Sequence, residues 1–128
     1  MLRAISLAEA FKYTAKPNPV VGALLVSKTG IISEGSHERF GENHAEINAI
    51  NNARKLLGKS FNSFEDLTLV CTLEPCSHFG KTGPCAEAIA QIGIKKVIIG
   101  ALDPNPLVAG KGIDLLTKND VKVEVGLC

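Results

Sequence analysis

The sequence predicts an α/β protein, with a mixed central sheet of about five strands and helices on both faces. Three observations lead there. Short apolar runs of β-type alternate with segments of helical periodicity, the links between them are short, and two of the runs flank a hairpin turn sequence. The 128 residues suit a single domain, 1–128, that can bury a core without disulfide staples.

The first helix is expected over 2–15, where Leu2, Ile5, Leu7, Ala8, Ala10 and Phe11 mostly share one face. Pro17-Asn18-Pro19 ends it, because each proline removes a donor and disfavours helix in the residue before it. Residues 20–26 are apolar throughout and read as a strand buried on both faces. Ser27-Lys28-Thr29-Gly30 turns the chain, and 31–35 returns as the antiparallel partner. A second helix is expected over 44–57 from Ala49, Ile50, Ala53, Leu56 and Leu57, with Gly58 as its C-cap and Phe61 and Phe64 anchoring the polar link that follows. Strands are expected at 67–72, 97–100 and 121–125. Pro84 suits the first turn of a helix to about residue 92, and a last helix covers 110–118.

Composition narrows the function classes. Fourteen basic and thirteen acidic residues leave a net charge of +1, so there is no electrostatic case for a long nucleic-acid partner. With no Trp and one Tyr, stacking platforms for single strands are not expected either. No apolar run approaches the ~18 residues of a membrane span. Met1-Leu2-Arg3-Ala4-Ile5 lacks the layout of a signal peptide, so a reduced cytoplasmic setting is expected. In that setting the four cysteines, 71, 76, 85 and 128, are weak evidence for disulfides, and two of them, Cys76 and Cys85, raise metal binding as the sharper question.

The chemistry concentrates in His44-Ala45-Glu46, Pro75-Cys76 and Cys85. His44 and Cys85 each open a predicted helix, and Cys76 closely follows a strand, where α/β sheets gather their ligands. One imidazole and two thiolates are donors that zinc prefers, and three protein ligands leave a tetrahedral position open for water, the catalytic pattern. Glu46, two residues after the histidine, can reach that water and exchange protons with it. Taken singly these residues are ordinary: a histidine before a helix is usually a surface group, and two cysteines nine apart usually mean nothing. Together they match the pattern of zinc-dependent nucleobase deaminases, except that eight residues separate Cys76 from Cys85 where that pattern has two.

The longer loop carries a more specific likeness. Thr72-Leu73-Glu74-Pro75-Cys76-Ser77-His78-Phe79-Gly80-Lys81-Thr82-Gly83-Pro84-Cys85 resembles the motif of the riboflavin-biosynthesis pyrimidine deaminases, the diaminohydroxyphosphoribosylaminopyrimidine deaminases. Residues 17–23, 41–46 and 103–112 resemble the same family, and the likeness covers roughly 3–125. It implies a three-layer cytidine-deaminase-like fold and hydrolytic loss of the 2-amino group of 2,5-diamino-6-(5-phosphoribosylamino)pyrimidin-4-one. It implies that His44, Cys76 and Cys85 bind zinc, that Glu46 shuttles protons, and that Asn18, His78, Lys81, Thr82, Asp103 and Asn105 contact a small phosphorylated pyrimidine. Lys81 and Thr82 offer a charge and a donor that suit a phosphate.

Asn43 stands where the family usually has proline, and Gly83-Pro84-Cys85 where it has Pro-Pro-Cys; no ligand is lost. Phe11 and Tyr13 replace frequent glycines, and 58–66 is a longer link. Most bacterial members continue into an NADPH-dependent reductase domain. This chain ends near Val125 with no Gly-rich dinucleotide loop, so no reductase activity is expected of it, and a separate reductase and homo-oligomerisation remain open. His37 is read as a surface residue, Cys71 as core and Cys128 as inert. Two other readings compete: a zinc deaminase of cytidine, deoxycytidylate or transfer-RNA adenosine, against which the long loop argues, and a structural zinc module, which has no use for a carboxylate like Glu46.

Overall fold

A computed structural model describes residues 1–9, 21–28, 30–36, 44–57, 64–75, 85–102 and 109–126. Its elements are α1 (Leu2–Glu9), β1 (Gly22–Ser27), β2 (Gly30–Ser36), α2 (Ala45–Leu57), β3 (Thr68–Leu73), α3 (Cys85–Gln91), β4 (Lys96–Ala101), α4 (Lys111–Lys118) and β5 (Lys122–Val125). The helix and strand order expected from periodicity is present, with bounds displaced by a residue or two. Gly58, Phe61 and the remainder of the expected first helix lie outside the described residues, and Phe64 is buried as an anchor should be.

The strands form one mixed sheet in the order β2-β1-β3-β4-β5. The hairpin partners β1 and β2 are antiparallel, with a bulge between Leu25 and Val26, and β1 is antiparallel to β3 as well. The β3, β4 and β5 strands run parallel, as helical crossovers require. With α1 on one face and α2, α3 and α4 on the other, this is the expected three-layer arrangement. Alternation along the strands divides the core in two. Ala23, Leu25, Leu69, Cys71, Val97 and Ile99 face the larger cluster, which α2, α3 and α4 close with Ala49, Ile50, Ile89 and Leu116. On the opposite face Leu24 and Val70 pack with Ala4 of α1. The apolar β1 run is buried through Leu25 and half-exposed at Val26, where the chain approaches the hairpin turn. No helix among the described residues is long and apolar enough to cross a membrane.

The register brings several chain segments to one end of the sheet. Gly22 pairs with Ser36 and Ala23 with Cys71, while Leu73 pairs with Ala101. The start of β1, the end of β2 and the C-terminal ends of β3 and β4 therefore share an edge. Such an edge, at the carboxyl ends of parallel strands, is where ligands bind in open α/β sheets.

Helix α2 is fixed to the outer strand by backbone contact and by polar side chains. A Cβ on Gly35 would collide with the Ala45 carbonyl and the Ala49 amide, so glycine sets how closely α2 lies on β2. The Ser33 hydroxyl donates to the Ala49 carbonyl at 2.7 Å. Asn48 and Asn52, one turn apart, donate through Nδ2 to the Ser36 and Glu34 carbonyls at 2.6 and 2.8 Å. These bonds occupy alternate carbonyls of an edge strand, which would otherwise invite another chain to pair. Because α2 begins one residue after His44, this packing also places the candidate site. Gly35→Ala is expected to cost about 1–3 kcal/mol of unfolding free energy by overpacking as α2 is pushed outward, measured by urea denaturation. An alanine variant as stable as the parent would show that the helix can shift freely.

Candidate active site

Two helix N-termini converge on the larger face of the sheet. The His44 carbonyl accepts the first intrahelical bond of α2, from the Asn48 amide at 3.0 Å. Glu46 lies in the first turn of the same helix, and Cys85 is the first residue of α3. Helix N-termini favour negative charge, which suits a carboxylate and a metal-binding thiolate. Cys85 and Glu46 are buried, at 1% and 3% exposure, and His44 is half-buried.

His44 Nδ1 lies 3.1 Å from Cys85 Sγ, although 41 residues separate them in sequence. The donor atoms of His44, Glu46 and Cys85 all fall within 4.8 Å of one another. Ordinary Zn–N and Zn–S bond lengths put tetrahedral neighbours about 3.6 Å apart. The imidazole–thiol separation is close to such an edge, and nitrogen and sulfur are the donors zinc selects. The residues present therefore fit a metal site, with His44 and Cys85 as donors and the Glu46 carboxylate beside them.

Beneath this cluster Cys71 is fully buried, and its thiol reaches the Ile98 carbonyl at 3.8 Å. Burial pushes the Cys71 thiol well above its ordinary range, and the nearby Glu46 carboxylate pushes it further. Cys71 is thus a neutral floor to the site, consistent with the core role its strand position suggested. The other residues named from the sequence, Asn18, His37, Cys76, His78, Lys81, Thr82, Asp103, Asn105 and Cys128, lie outside the described residues. Their chain segments adjoin described elements whose bounds are known. Pro75, immediately before Cys76, is fully buried, and Asp103 follows β4 by two residues.

One buried group was not singled out by sequence reasoning. The Glu74 carboxylate, at 6% exposure, accepts backbone N–H bonds from Gly110, Gly112 and Ile113 at 3.0, 2.8 and 3.2 Å. These are donors at the N-terminus of α4, whose cap residue Gly110 has a left-handed φ of 87° and no side chain of its own to cap with. The only hint in the sequence was an acidic residue beside Pro75-Cys76, together with Gly110 and Gly112 some 36 residues later.

Comparison with known proteins agrees with this geometry. Residues 1–101 match the family described as the cytidine and deoxycytidylate deaminase zinc-binding region, and the chain belongs to that family. A diaminohydroxyphosphoribosylamino-pyrimidine deaminase of Buchnera aphidicola is 50% identical over 127 residues, covering 99% of this chain and 82% of that protein. Within the family, the chain belongs with these riboflavin-pathway deaminases. The riboflavin biosynthesis protein RibD of Bacillus amyloliquefaciens is 49% identical over 99% of this chain, which spans 32% of that protein's length. The crystal structure of the Thermotoga maritima deaminase/5-amino-6-(5-phosphoribosylamino)uracil reductase superposes with a TM-score of 0.88 at 46% identity, covering 99% of this chain and 35% of that one.

Proposed function

We propose that the chain is a zinc-dependent hydrolase that removes the 2-amino group of 2,5-diamino-6-(5-phosphoribosylamino)pyrimidin-4-one as ammonia, leaving a carbonyl on the ring. The observation that carries this reading is the meeting of His44 Nδ1 and Cys85 Sγ at 3.1 Å beside a buried carboxylate. A purely structural zinc site gains nothing from a desolvated acid at that position, whereas hydrolysis needs a group to take and return a proton. The 50% identity to a deaminase named for this pyrimidine supports the choice of substrate.

In this reading His44, Cys76 and Cys85 hold the metal. Bound zinc supplies a Lewis acid that makes water nucleophilic near neutral pH. Glu46 would accept a proton from the attacking water and pass it to the ring nitrogen beside the carbon attacked, then carry the remaining hydroxyl proton to the departing amino nitrogen, so that the C–OH becomes the ring carbonyl. One C–O bond forms, one C–N bond breaks and ammonia leaves. The walls around Glu46, Ala45, Ala49 and the neutral Cys71 among them, are buried, so its proton is exchanged with the substrate side rather than lost to bulk water. Asn18, His78, Lys81, Thr82, Asp103 and Asn105 contact the substrate. Asn18 precedes the start of β1, Asp103 and Asn105 follow the end of β4, and the loop with His78, Lys81 and Thr82 joins β3 to α3. All three segments adjoin the same sheet edge, which supports grouping them around one ligand.

The deciding experiment compares turnover of the phosphorylated diaminopyrimidine with that of cytidine, deoxycytidylate and adenosine, in the parent and in Lys81→Ala. Preference for the diaminopyrimidine is expected. Lys81→Ala should raise its KM about tenfold to a hundredfold, the loss of roughly 1.5–3 kcal/mol of charge-assisted bonding, and leave a dephosphorylated analogue nearly unaffected. Equal loss on both substrates would assign Lys81 to the loop or the ring instead of the phosphate. Preference for another base would overturn the substrate assignment itself.

A further inference from the structure

Glu74 holds both ends of the chain segment that follows β4. Its backbone N–H donates to the Ala101 carbonyl at 2.9 Å, where β4 ends. Its carboxylate accepts the amides of Gly110, Gly112 and Ile113, where α4 begins. One buried residue therefore fixes the take-off and landing points of 102–109, the stretch that contains Asp103 and Asn105. Its neighbour Pro75 reinforces the landing point: a Cβ on Gly112 would collide with the Pro75 carbonyl and press on the Glu74 side chain, so α4 is seated directly against the 74–75 backbone. The next residue in sequence is Cys76. A carboxylate is the group that can satisfy several converging amides at once, and charged acceptors make the stronger bonds. Helix α4 gains a negative charge at its N-terminus, which its αL glycine cap does not supply.

We propose that Glu74 is a positioning residue for the reaction, a clamp that ties the end of β4 at Ala101 and the start of α4 at Gly110–Ile113 to the Glu74-Pro75 backbone, the described anchor points on either side of the substrate-contact residues proposed above. The inference rests on the substrate-contact role given above to Asp103 and Asn105. The clamp itself is independent of that role. Small displacements of positioning groups carry large kinetic penalties, because a bound substrate reacts only from a narrow range of geometries.

The test compares the full chain with Glu74→Gln, which keeps the shape but loses the charge and turns an NH2 toward donors, and with Glu74→Asp, which keeps the charge on a shorter arm. Amide hydrogen exchange, zinc content and steady-state kinetics on the phosphorylated diaminopyrimidine are measured for each. Glu74→Gln is expected to exchange faster at the amides of 110–113 and to lower kcat/KM by about tenfold or more, with zinc content unchanged and kcat falling at least as far as KM rises. Glu74→Asp should fall between this and the parent in both exchange and kcat/KM, and it carries the test if the glutamine variant fails to fold. Exchange equal to the parent across 110–113 in a folded variant would refute the clamp. Faster exchange with KM and kcat both unchanged would make Glu74 a helix cap alone and would equally overturn the proposal. A parent chain without turnover on this pyrimidine would defeat the substrate assignment, while the exchange comparison would still decide whether the clamp exists.

Discussion

Glu46→Gln is expected to lower kcat by about 10²–10⁴-fold with fold and zinc content unchanged. Glutamine matches glutamate in shape, so the substitution leaves α2 seated on β2 by Gly35, Ser33, Asn48 and Asn52. It removes the one property the reaction needs, because a carboxamide does not take up a proton near neutral pH. Among the described residues, the buried side offers Cys71 as another titratable group beside Glu46. Burial, the larger cause that holds the Cys71 thiol protonated, persists when Glu46 is replaced. The Cys71 thiol also reaches the Ile98 carbonyl, on the neighbouring strand β4. At 3% exposure the side chain at 46 is also shielded from bulk water that could carry protons in its place. Steady-state kinetics beside metal analysis decide the matter: near-normal turnover in a zinc-replete Glu46→Gln protein would mean that another group moves the proton.

The parts of this molecule that were legible in the sequence are those governed by local rules. The apolar β1 run, the Ser27–Gly30 hairpin link and the Ala49–Ile50–Ala53 periodicity each depend on neighbours a few residues away, and strand, hairpin and helix formed as expected, although Leu56, counted in the same stripe, is exposed. The types of the site residues were legible for a related reason. His44 immediately precedes α2 and Glu46 lies in its first turn, and an imidazole, thiols and a carboxylate have few joint uses. The convergence of His44 with Cys85 was not dictated by spacing, since it depends on α2 and α3 packing on one face of the sheet. Least legible were contacts made by residues whose type misleads. Asn48 and Asn52 look like the solvent face of an amphipathic helix, yet they bond the edge-strand carbonyls. Gly35 looks like loop punctuation, yet it is the point of contact between a strand and a helix. Glu74 has the composition of a surface residue. Its burial becomes reasonable only once three amides from 36 to 39 residues away are seen to point at it. Periodicity carries no trace of such long-range polar bonds.

Cys85→Ser should lose most of the zinc and reduce turnover on the order of 10³-fold or more, since the activation of water goes with the metal. The substitution is mild as packing. Cys85 is 1% exposed at the first position of α3, a serine is slightly smaller, and serine is tolerated at helix starts. The hydroxyl, unlike a thiol, does not ionise readily and makes a poor zinc donor, so the proposed set His44, Cys76 and Cys85 would be left one short. Because metal binding is coupled to folding, thermal stability should fall to that of parent protein stripped by a chelator. Added zinc should restore the stripped parent and fail to restore Cys85→Ser. Cys71→Ser supplies the contrast: it places a hydroxyl in the apolar floor and is expected to cost about 1–3 kcal/mol of stability, yet the protein should keep about one zinc per protomer because Cys71 stays protonated in the core. The measurement is zinc per protomer by elemental analysis, set against activity and thermal midpoint for the parent and both variants. Zinc retained at the parental level in Cys85→Ser would remove Cys85 from the metal, and loss of zinc in a folded Cys71→Ser protein would move the ligand set toward the sheet.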